Sequence, residues 1–510
     1  MPAVYLLTVS WVVLGLGLPL IAIGVWVAWR RPLAAVYAFV VGFAIHNAVF
    51  LGLWLAGARG WQLTVLQAWK ELLLAAALAS VAWRLLRDRT HPSELRPLDL
   101  ALAALALVAV VYLILPNALL GHSTGAKARL YGLREILLPV ATYGVGRGLS
   151  LGRRDWRRIG ALVLGVSVFV AVVGLVEDYA IPLSVWRHAG AARYFREQLH
   201  FPPFHGPAGL PENIALNTSS GVFRRLASTT LSPLATAYML AVALIVLAAW
   251  RARARLVVAT VASVILAAFA LALSRAAAAA LVGALLLLAL VQRGRLPIVA
   301  AVAVAGVTLG VAASFTHIAP KTRFFPEDIA YQRANAKAHG GLAKGNTLTT
   351  GGTFSDASSG EHFAELRRSF RNFERHPGGL GLGSGGQIAQ RFGGDVAAGE
   401  SLYLTIAVET GVAGLLALLA VVAATLYELG RLARRLRGSE LGPVAAVLFC
   451  AQAAVFAIGL QTEVWGVPWL VYVLWPLTGS LITGASAAEP EPGAGRGARR
   501  RAEPVPARLG

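Results

Sequence analysis

The sequence predicts an all-α, polytopic integral membrane protein with about 12–14 transmembrane helices and a large external loop carrying short helices, and three observations predict it. Composition is the first: of 510 residues, 57% are hydrophobic and 14% charged, at a mean hydropathy of +0.65. Soluble domains average roughly half apolar and a quarter charged. The second is length, since apolar stretches of about 17–25 residues, enough to cross about 30 Å of hydrocarbon, recur from Ala3 to Thr483. The third is the placement of arginine. Basic clusters at Arg30-Arg31, Arg84 to Arg96, Arg147 to Arg158, Arg251 to Arg255, Arg293-Arg295, Arg431 to Arg437 and Arg496 to Arg501 separate the stretches, and all of them can be cytoplasmic if an even number of crossings lies between neighbours. The net charge of +21 is then a topological signal, and nucleic acid is not expected as a partner.

The spans fall at 4–29, 33–56, 62–83, 98–119, 130–147, 159–180, 228–250, 256–273, 276–292, 297–315, 402–428, 441–460 and 467–484, with the N-terminus external. The opening MPAVYLLTVSW lacks the basic n-region and small-residue cleavage site of a signal peptide, so the first span is expected to be retained. Within LALSRAAAAAL (271–281) a permanent charge interrupts an apolar run from Leu256 to Val291. A single helix over 256–292 would be about 55 Å long, nearly twice the hydrocarbon thickness. Two spans must meet there in a tight external hairpin with Ser274-Arg275 at its tip.

This divides the chain into N-terminal helices (1–227) with an external loop near 182–225, central helices with the hairpin (228–315), a large external loop (316–401), C-terminal helices (402–484) and a basic, low-complexity cytoplasmic tail (485–510) expected to be disordered. In the large loop, KGNTLTTGGTFSDASSG (344–360) reads as flexible loop. EHFAELRRSFRNFERH (361–376) reads as a helix with Phe363, Leu366, Phe370 and Phe373 on one face and Arg367, Arg368, Arg371 and Arg375 on its polar sides, stopped by Gly378-Gly379. Such a helix would lie on the membrane surface or cap a cavity. Cys450 stands alone, so no disulfide within the chain and no multi-cysteine metal site can form.

GxxxxGK[ST], HExxH, GxSxG and clustered Cys/His sets are missing, so the chemistry must rest on arginines and carboxylates, and neither metal nor cofactor is expected. Arg225, beside Arg224, precedes Ser228, Thr229, Thr230 and Ser232 at the start of a span. It reads either as a cation snorkelling at a helix end or as half of an anion site built with hydroxyls and exposed amides. Arg275 is either a structural hairpin cation or a phosphate fork, and two such forks would neutralise a pyrophosphate at low dielectric. Lys70-Glu71 lie deep enough in the third span to demand partners and, being adjacent, are expected to serve different neighbours. Glu400, where GGLGLGSGGQIAQRFGGDVAAGESLYLTIAVETGVAGLL (378–416) re-enters the membrane beside Tyr403, reads either as a desolvated proton acceptor or as a carboxylate favoured by the helix macrodipole. GVAGLL (411–416) is expected to continue that helix.

In order along the chain, an arginine eight residues before a proline at a span start (Arg225 to Pro233), an SR dipeptide followed by small residues (Ser274-Arg275), and HPGGLGLGSGG (376–386) leading to ESLYLTIAVETGVAGLL (400–416) resemble the O-antigen ligase and polymerase superfamily of bacterial envelope glycosyltransferases. The resemblance covers roughly residues 220–420. It implies glycan transfer from an undecaprenyl-pyrophosphate donor to a glycan or lipid A-core acceptor at the periplasmic face of the inner membrane, without metal or nucleotide, and allows a chain-length regulator as a partner. It implies further that Arg225 and Arg275 bind the diphosphate and that a residue at the loop's re-entry activates the acceptor hydroxyl. Ligases typically place histidine there, and this chain has Glu400, which points towards a polymerase or a divergent ligase-like transferase. Arg224, Ser274, Lys70, Arg368, Arg371, His376 and Tyr403 are expected around the substrate, with His376 and His362 as substitute bases only if the loop folds inward. The rival readings are a transporter or flippase of lipid-linked sugars, for which repeated halves with broken helices would be expected, and a non-catalytic scaffold.

Overall fold

The computed structural model describes residues 3–87, 95–201, 204, 206–218, 220–250, 254–330, 357–392, 396–399 and 401–487. It is 80% helical, and among the described residues eight helical stretches, Gly60–Arg87 counted as one, are long and apolar enough to cross a membrane by length and composition. The protein is an all-α polytopic membrane protein.

Prolines mark where many helices begin, because a helix's first N–H lacks an intrahelical partner anyway and the fixed φ is already helical. α1 (Ala3–Arg30) and α2 (Pro32–Leu55) are divided this way at Arg31. The third span is two helices, α3 (Gly60–Gln67) and α4 (Trp69–Arg87), broken at Ala68. α5 (Pro97–Ile114), α6 (Ala126–Arg147) and α7 (Arg153–Ala180) follow, and α7 leads into the short α8 (Leu183–Ala189). β1 (Ala215–Thr218) and β2 (Gly221–Arg224) form a hairpin, with Leu216 opposite Phe223. β2 also pairs antiparallel with β3 (Lys321–Thr322), joining the two long loops in one small sheet.

α9 (Pro233–Ala249) starts five residues later than the expected span, because Ser228–Thr230 form a separate turn and Ser232 caps the helix by accepting the Ala235 N–H at 3.3 Å. α10 (Arg255–Leu271), α11 (Arg275–Gln292) and α12 (Leu296–Ile318) complete the centre. After the long loop come α13 (Ala357–Arg375), α14 (Gly386–Arg391), α15 (Leu402–Arg435), α16 (Gly442–Ile458) and α17 (Pro468–Ala487). α13 begins four residues before the expected helix. It stops at Arg375, ahead of the glycines, because Pro377 disfavours helical geometry at His376. Most of the expected flexible stretch 344–360 and the tail from 488 onward lie outside the described residues.

α17 runs through the interior. Trp469 to Trp475 are all buried, and the Trp469 indole donates to the Val40 carbonyl of α2 at 3.1 Å. At one end of the bundle, Arg147 of α6 donates to both carboxylate oxygens of Asp99 on α5, each at 3.1 Å, while the Tyr143 hydroxyl donates to the same carboxylate at 2.6 Å. The opposite end carries the sheet, α8, α13 and α14, and is called the loop end below.

Candidate functional site

The glycine-rich segment after α13 is interior structure. Residues 379–386 are all buried, running between α6 and α15. Gly379, Gly381, Gly383 and Gly386 have φ of +81, +99, +75 and +57, a region that side chains disfavour. At Gly383 a Cβ would also collide with the Ala128 carbonyl of α6.

A buried loop must find acceptors for its amides. Two carboxylates supply them. Glu409 Oε1 accepts the Gly383 and Gly385 N–H groups at 2.9 and 3.2 Å, and Glu463 accepts the Gln387 N–H at 3.1 Å and the Thr405 hydroxyl at 2.7 Å. Glu135 of α6 shares their cavity, which has about 20 Å³ of free space, room for roughly one water, and is closed by Ile388, Leu402 and Trp465.

α15 breaks where this segment passes. Thr410 and Gly411 leave helical geometry, Gly411 with φ of +61, and their neighbours pair with the loop: Leu380 N–H to the Val408 carbonyl at 2.7 Å, Gly381 N–H to the Glu409 carbonyl at 2.9 Å, Val412 N–H to the Pro377 carbonyl at 2.9 Å. The expected continuous helix through GVAGLL is thereby corrected. Gly411 serves the crossing, since a Cβ there would meet Gly378 and Gly379 backbone within 2.9 Å.

The second constellation is the arginine hairpin. α10 ends at Leu271 and α11 begins at Arg275, with the Ser274 hydroxyl capping α11 by accepting the Ala277 N–H at 3.4 Å. The Arg225 guanidinium donates to the Ala272 carbonyl through Nε and Nη2 at 3.1 and 3.0 Å and to the Leu273 carbonyl at 3.1 Å. The Leu226 N–H donates to the Leu271 carbonyl at 3.2 Å. Arg225 is thus fastened to the turn that presents Arg275, which is exposed at the first position of α11. The same strand end is fixed laterally, with the Thr229 hydroxyl donating to the Ala44 carbonyl and Asn47 to the Thr230 carbonyl, both at 2.6 Å.

Arg224 departs from its expected place at the substrate. Its side chain is 4% exposed, ion-paired with Glu177 and, at 3.1 Å, with Asp178 of α7, and hydrogen-bonded to the Ile181 carbonyl. Two carboxylates leave this guanidinium no charge for an external anion, so it anchors the loop to α7. Lys70 and Glu71 have separate neighbours, as expected, and also approach each other: Lys70 Nζ donates to the Gln67 carbonyl at 2.6 Å and lies 3.5 Å from Glu71. The break at Ala68 frees that carbonyl and lets the flexible lysine fold back. Glu71 in turn pairs with Arg134 of α6.

On α13, Ser369 and Phe373 face inward, and the Ser369 hydroxyl accepts the Gly399 N–H at 2.7 Å. Phe363 and Phe370 are 54% and 50% exposed, so the four apolar residues do not share one buried face. Arg371 and His376 are exposed, Arg368 pairs with Glu365 at 3.5 Å, and the Tyr403 hydroxyl donates to the Phe456 carbonyl at 3.1 Å. Glu400 and the His362 side chain lie outside the described residues.

Sequence reasoning passed over Glu135, Glu409, Glu463, Arg134 and Arg391. Arg391 of α14 donates to the Leu199 carbonyl at 2.6 Å and lies over the rings of Phe201 and Tyr131 at 5.3 and 5.7 Å. Burial pulls its pKa below the usual arginine range, and the pKa of nearby His200 is lowered first by burial and then by the charges of Lys127 and Arg391. The available signal for Glu409 and Arg134 was an ionisable residue inside an apolar span.

These features define a polytopic membrane protein with a loop-end site built from a buried glycine segment and an arginine-bearing hairpin. Residues 262–419, from α10 through the break in α15, match the O-antigen ligase family, which supports the O-antigen ligase/polymerase superfamily and a membrane enzyme of glycosyltransferase type. No curated protein matches the chain. Among the described residues, no group of three or more His, Cys, Asp and Glu side chains is placed to hold a metal ion.

Proposed function

We propose that this protein transfers a glycan from an undecaprenyl-pyrophosphate donor to an acceptor hydroxyl at the periplasmic face of the inner membrane, as an O-antigen or exopolysaccharide polymerase or a ligase-like enzyme. The observation that carries the reading is the coupling of Arg225 to the hairpin that presents Arg275, a hairpin that lies within the segment matching the ligase family. Two guanidinium groups on one braced turn can meet two phosphates. Held in advance of the reaction, they stabilise charge as it develops on the leaving group.

The step is an inverting displacement. The acceptor oxygen forms a bond to the anomeric carbon as the bond from that carbon to the pyrophosphate oxygen breaks. The acceptor proton passes to Glu400, and undecaprenyl pyrophosphate leaves against Arg225 and Arg275. Glu400 is assigned from its position between Gly399 and Ser401, the latter capping α15 by accepting the Leu404 N–H at 3.5 Å. A carboxyl with an unperturbed pKa near 4.3 is a weak base unless partly desolvated, so part of Glu400's role is to orient the acceptor. Arg368, Arg371 and His376 on and after α13, with Lys70 deeper in the bundle, are assigned to the glycan chains.

Purified protein in proteoliposomes with a labelled undecaprenyl-pyrophosphate glycan and an acceptor glycan tests this. Formation of a longer or transferred glycan is expected. Movement of the label across the bilayer without a new glycosidic bond would make the protein a transporter, and neither event would make it a scaffold.

A further inference from the structure

Several cations at the loop end are matched to carboxylates. Arg187 pairs with Glu327, Arg193 with Glu197, Arg224 with Glu177 and Arg368 with Glu365. Arg391 and Lys127 are held differently. The Arg391 guanidinium lies over the rings of Phe201, Tyr131 and Phe392 at 5.3, 5.7 and 5.9 Å, and Lys127 Nζ lies 5.0 Å from the centre of the same Phe392 ring. Neither makes an ion pair among the described residues. A ring attracts a cation through its quadrupole without cancelling the charge, so both cations stay available to an anion.

Three separate segments build this surface. Lys127 and Tyr131 stand one turn apart on α6, His200 and Phe201 belong to the external loop, and Arg391 and Phe392 end α14. α14 is fixed from both sides, its Gln387 N–H bound to Glu463 and its Arg391 Nε donating to the Leu199 carbonyl at 2.6 Å. The Phe201 N–H donates to the Phe195 carbonyl at 3.1 Å, and the Tyr131 and Phe392 rings lie 4.9 Å apart. Tyr131, Phe201, Arg391 and Phe392 are half-buried while Lys127 and His200 are exposed, so charge and apolar ring surface meet where solvent reaches them. The charges of Lys127 and Arg391 also reach His200, whose φ of +58 holds the loop in a conformation uncommon outside glycine.

A ligand for such a surface combines an anionic group, an apolar face and hydroxyls in one small unit. A sugar acid has all three. Its carboxylate matches the planar guanidinium fork, its C–H face packs against the rings, and its hydroxyls can exchange hydrogen bonds with the His200 imidazole. A neutral sugar would leave both cations unmatched. We infer that Lys127, Tyr131, His200, Phe201, Arg391 and Phe392 form a subsite for an acidic sugar of the glycan, its carboxylate held by Arg391 and Lys127. The inference rests on the glycan-transfer reading above and names the class of glycan, one that carries sugar acids. The half-buried rings strengthen the pairing, because the apolar wall lowers the effective dielectric around the cations.

The test measures binding of short oligomers of galacturonic, glucuronic and mannuronic acid to the full-length protein in phosphatidylcholine nanodiscs, each beside its methyl ester, which keeps the sugar ring and removes the charge. At least one acid should bind about tenfold more tightly than its ester. That preference should vanish in Arg391→Gln and shrink in Lys127→Gln, whose exposed position leaves folding intact if the first variant is unstable. Equal binding within every pair, no binding of any acid, or an undiminished preference in Lys127→Gln overturns the inference. A second arm adds phosphatidylglycerol to the discs. Acid binding that persists there supports a sugar subsite, whereas its loss would assign the two cations to lipid headgroup phosphate and overturn it. Absence of transfer by the unmodified protein with every donor would sink the glycan-transfer reading, while the comparison of acid with ester still decides what this surface binds.

Discussion

Neighbouring arginines at positions 224 and 225 do different work, and their partners show why. Arg224 neutralises Glu177 and Asp178 in the interior, so Arg224→Ala leaves two buried carboxylates without a cation. Breaking a buried pair this way typically destabilises by about 3–5 kcal/mol, and a thermal-shift measurement in detergent should show the loss. An unchanged melting temperature would mean that this ion pair does not hold the loop to α7. Arg225 holds carbonyls of the hairpin turn with a planar fork. Lysine cannot reproduce that fork, so Arg225→Lys should insert normally yet transfer glycan slowly, and full activity in that variant would confine Arg225 to a charge role. Glu400→Gln keeps size while removing the basic group; transfer at the unmodified rate would leave Glu400 a helix-start residue. At this scale the sequence marked Arg225 and Arg275 because a charge at an external span end works against the positive-inside bias. It could not separate Arg224 from Arg225, since their difference lies in two carboxylates some 47 residues earlier in the chain.

The glycine segment, the broken α15 and the carboxylates behave as one element. Glu409→Ala would strand the Gly383 and Gly385 amides, at about 1–3 kcal/mol for each unsatisfied donor, whereas Glu409→Gln retains an acceptor oxygen and should be tolerated far better. Limited proteolysis between 377 and 399 reads this directly: faster cleavage is expected for the alanine variant and near-normal protection for glutamine. Equal protection in both would show that the amides find other partners. Gly383→Ala adds left-handed strain of about 1–2 kcal/mol to a collision with Ala128, and should abolish folded protein or expose the same segment. Glycines spaced through GGLGLGSGG announced an unusual backbone. That it is buried against α6, and that it turns α15 at Thr410-Gly411, depended on contacts that no periodicity encodes. In the same way, the stop of α13 before Pro377 follows local chemistry, while the exposure of Phe363 and Phe370 follows from Ser369 and Phe373 taking the inward positions.

For the whole molecule, hydropathy and arginine spacing carried most of the architecture. The helices α1 to α7, α9 to α12 and α15 to α17 fall on the apolar stretches, and the break between α10 and α11 follows from the length a single helix would have had. What was not legible is how distant helices meet: α2 touching Thr229 and Thr230, α17 threading the interior, and Glu463 reaching across to Gln387. These meetings bring the hairpin, the glycine segment and α13 to one end of the bundle, where a lipid-linked donor and a second glycan could be held together. The most direct test of this reading is the initial rate of glycan transfer by purified Arg275→Ala in nanodiscs, compared with the unmodified protein at saturating acceptor. If Arg275 stabilises the departing pyrophosphate, the rate should fall by about 100- to 1,000-fold with insertion and melting temperature unchanged. A variant that transfers glycan as fast as the unmodified protein would contradict the assignment of the phosphate site to the hairpin.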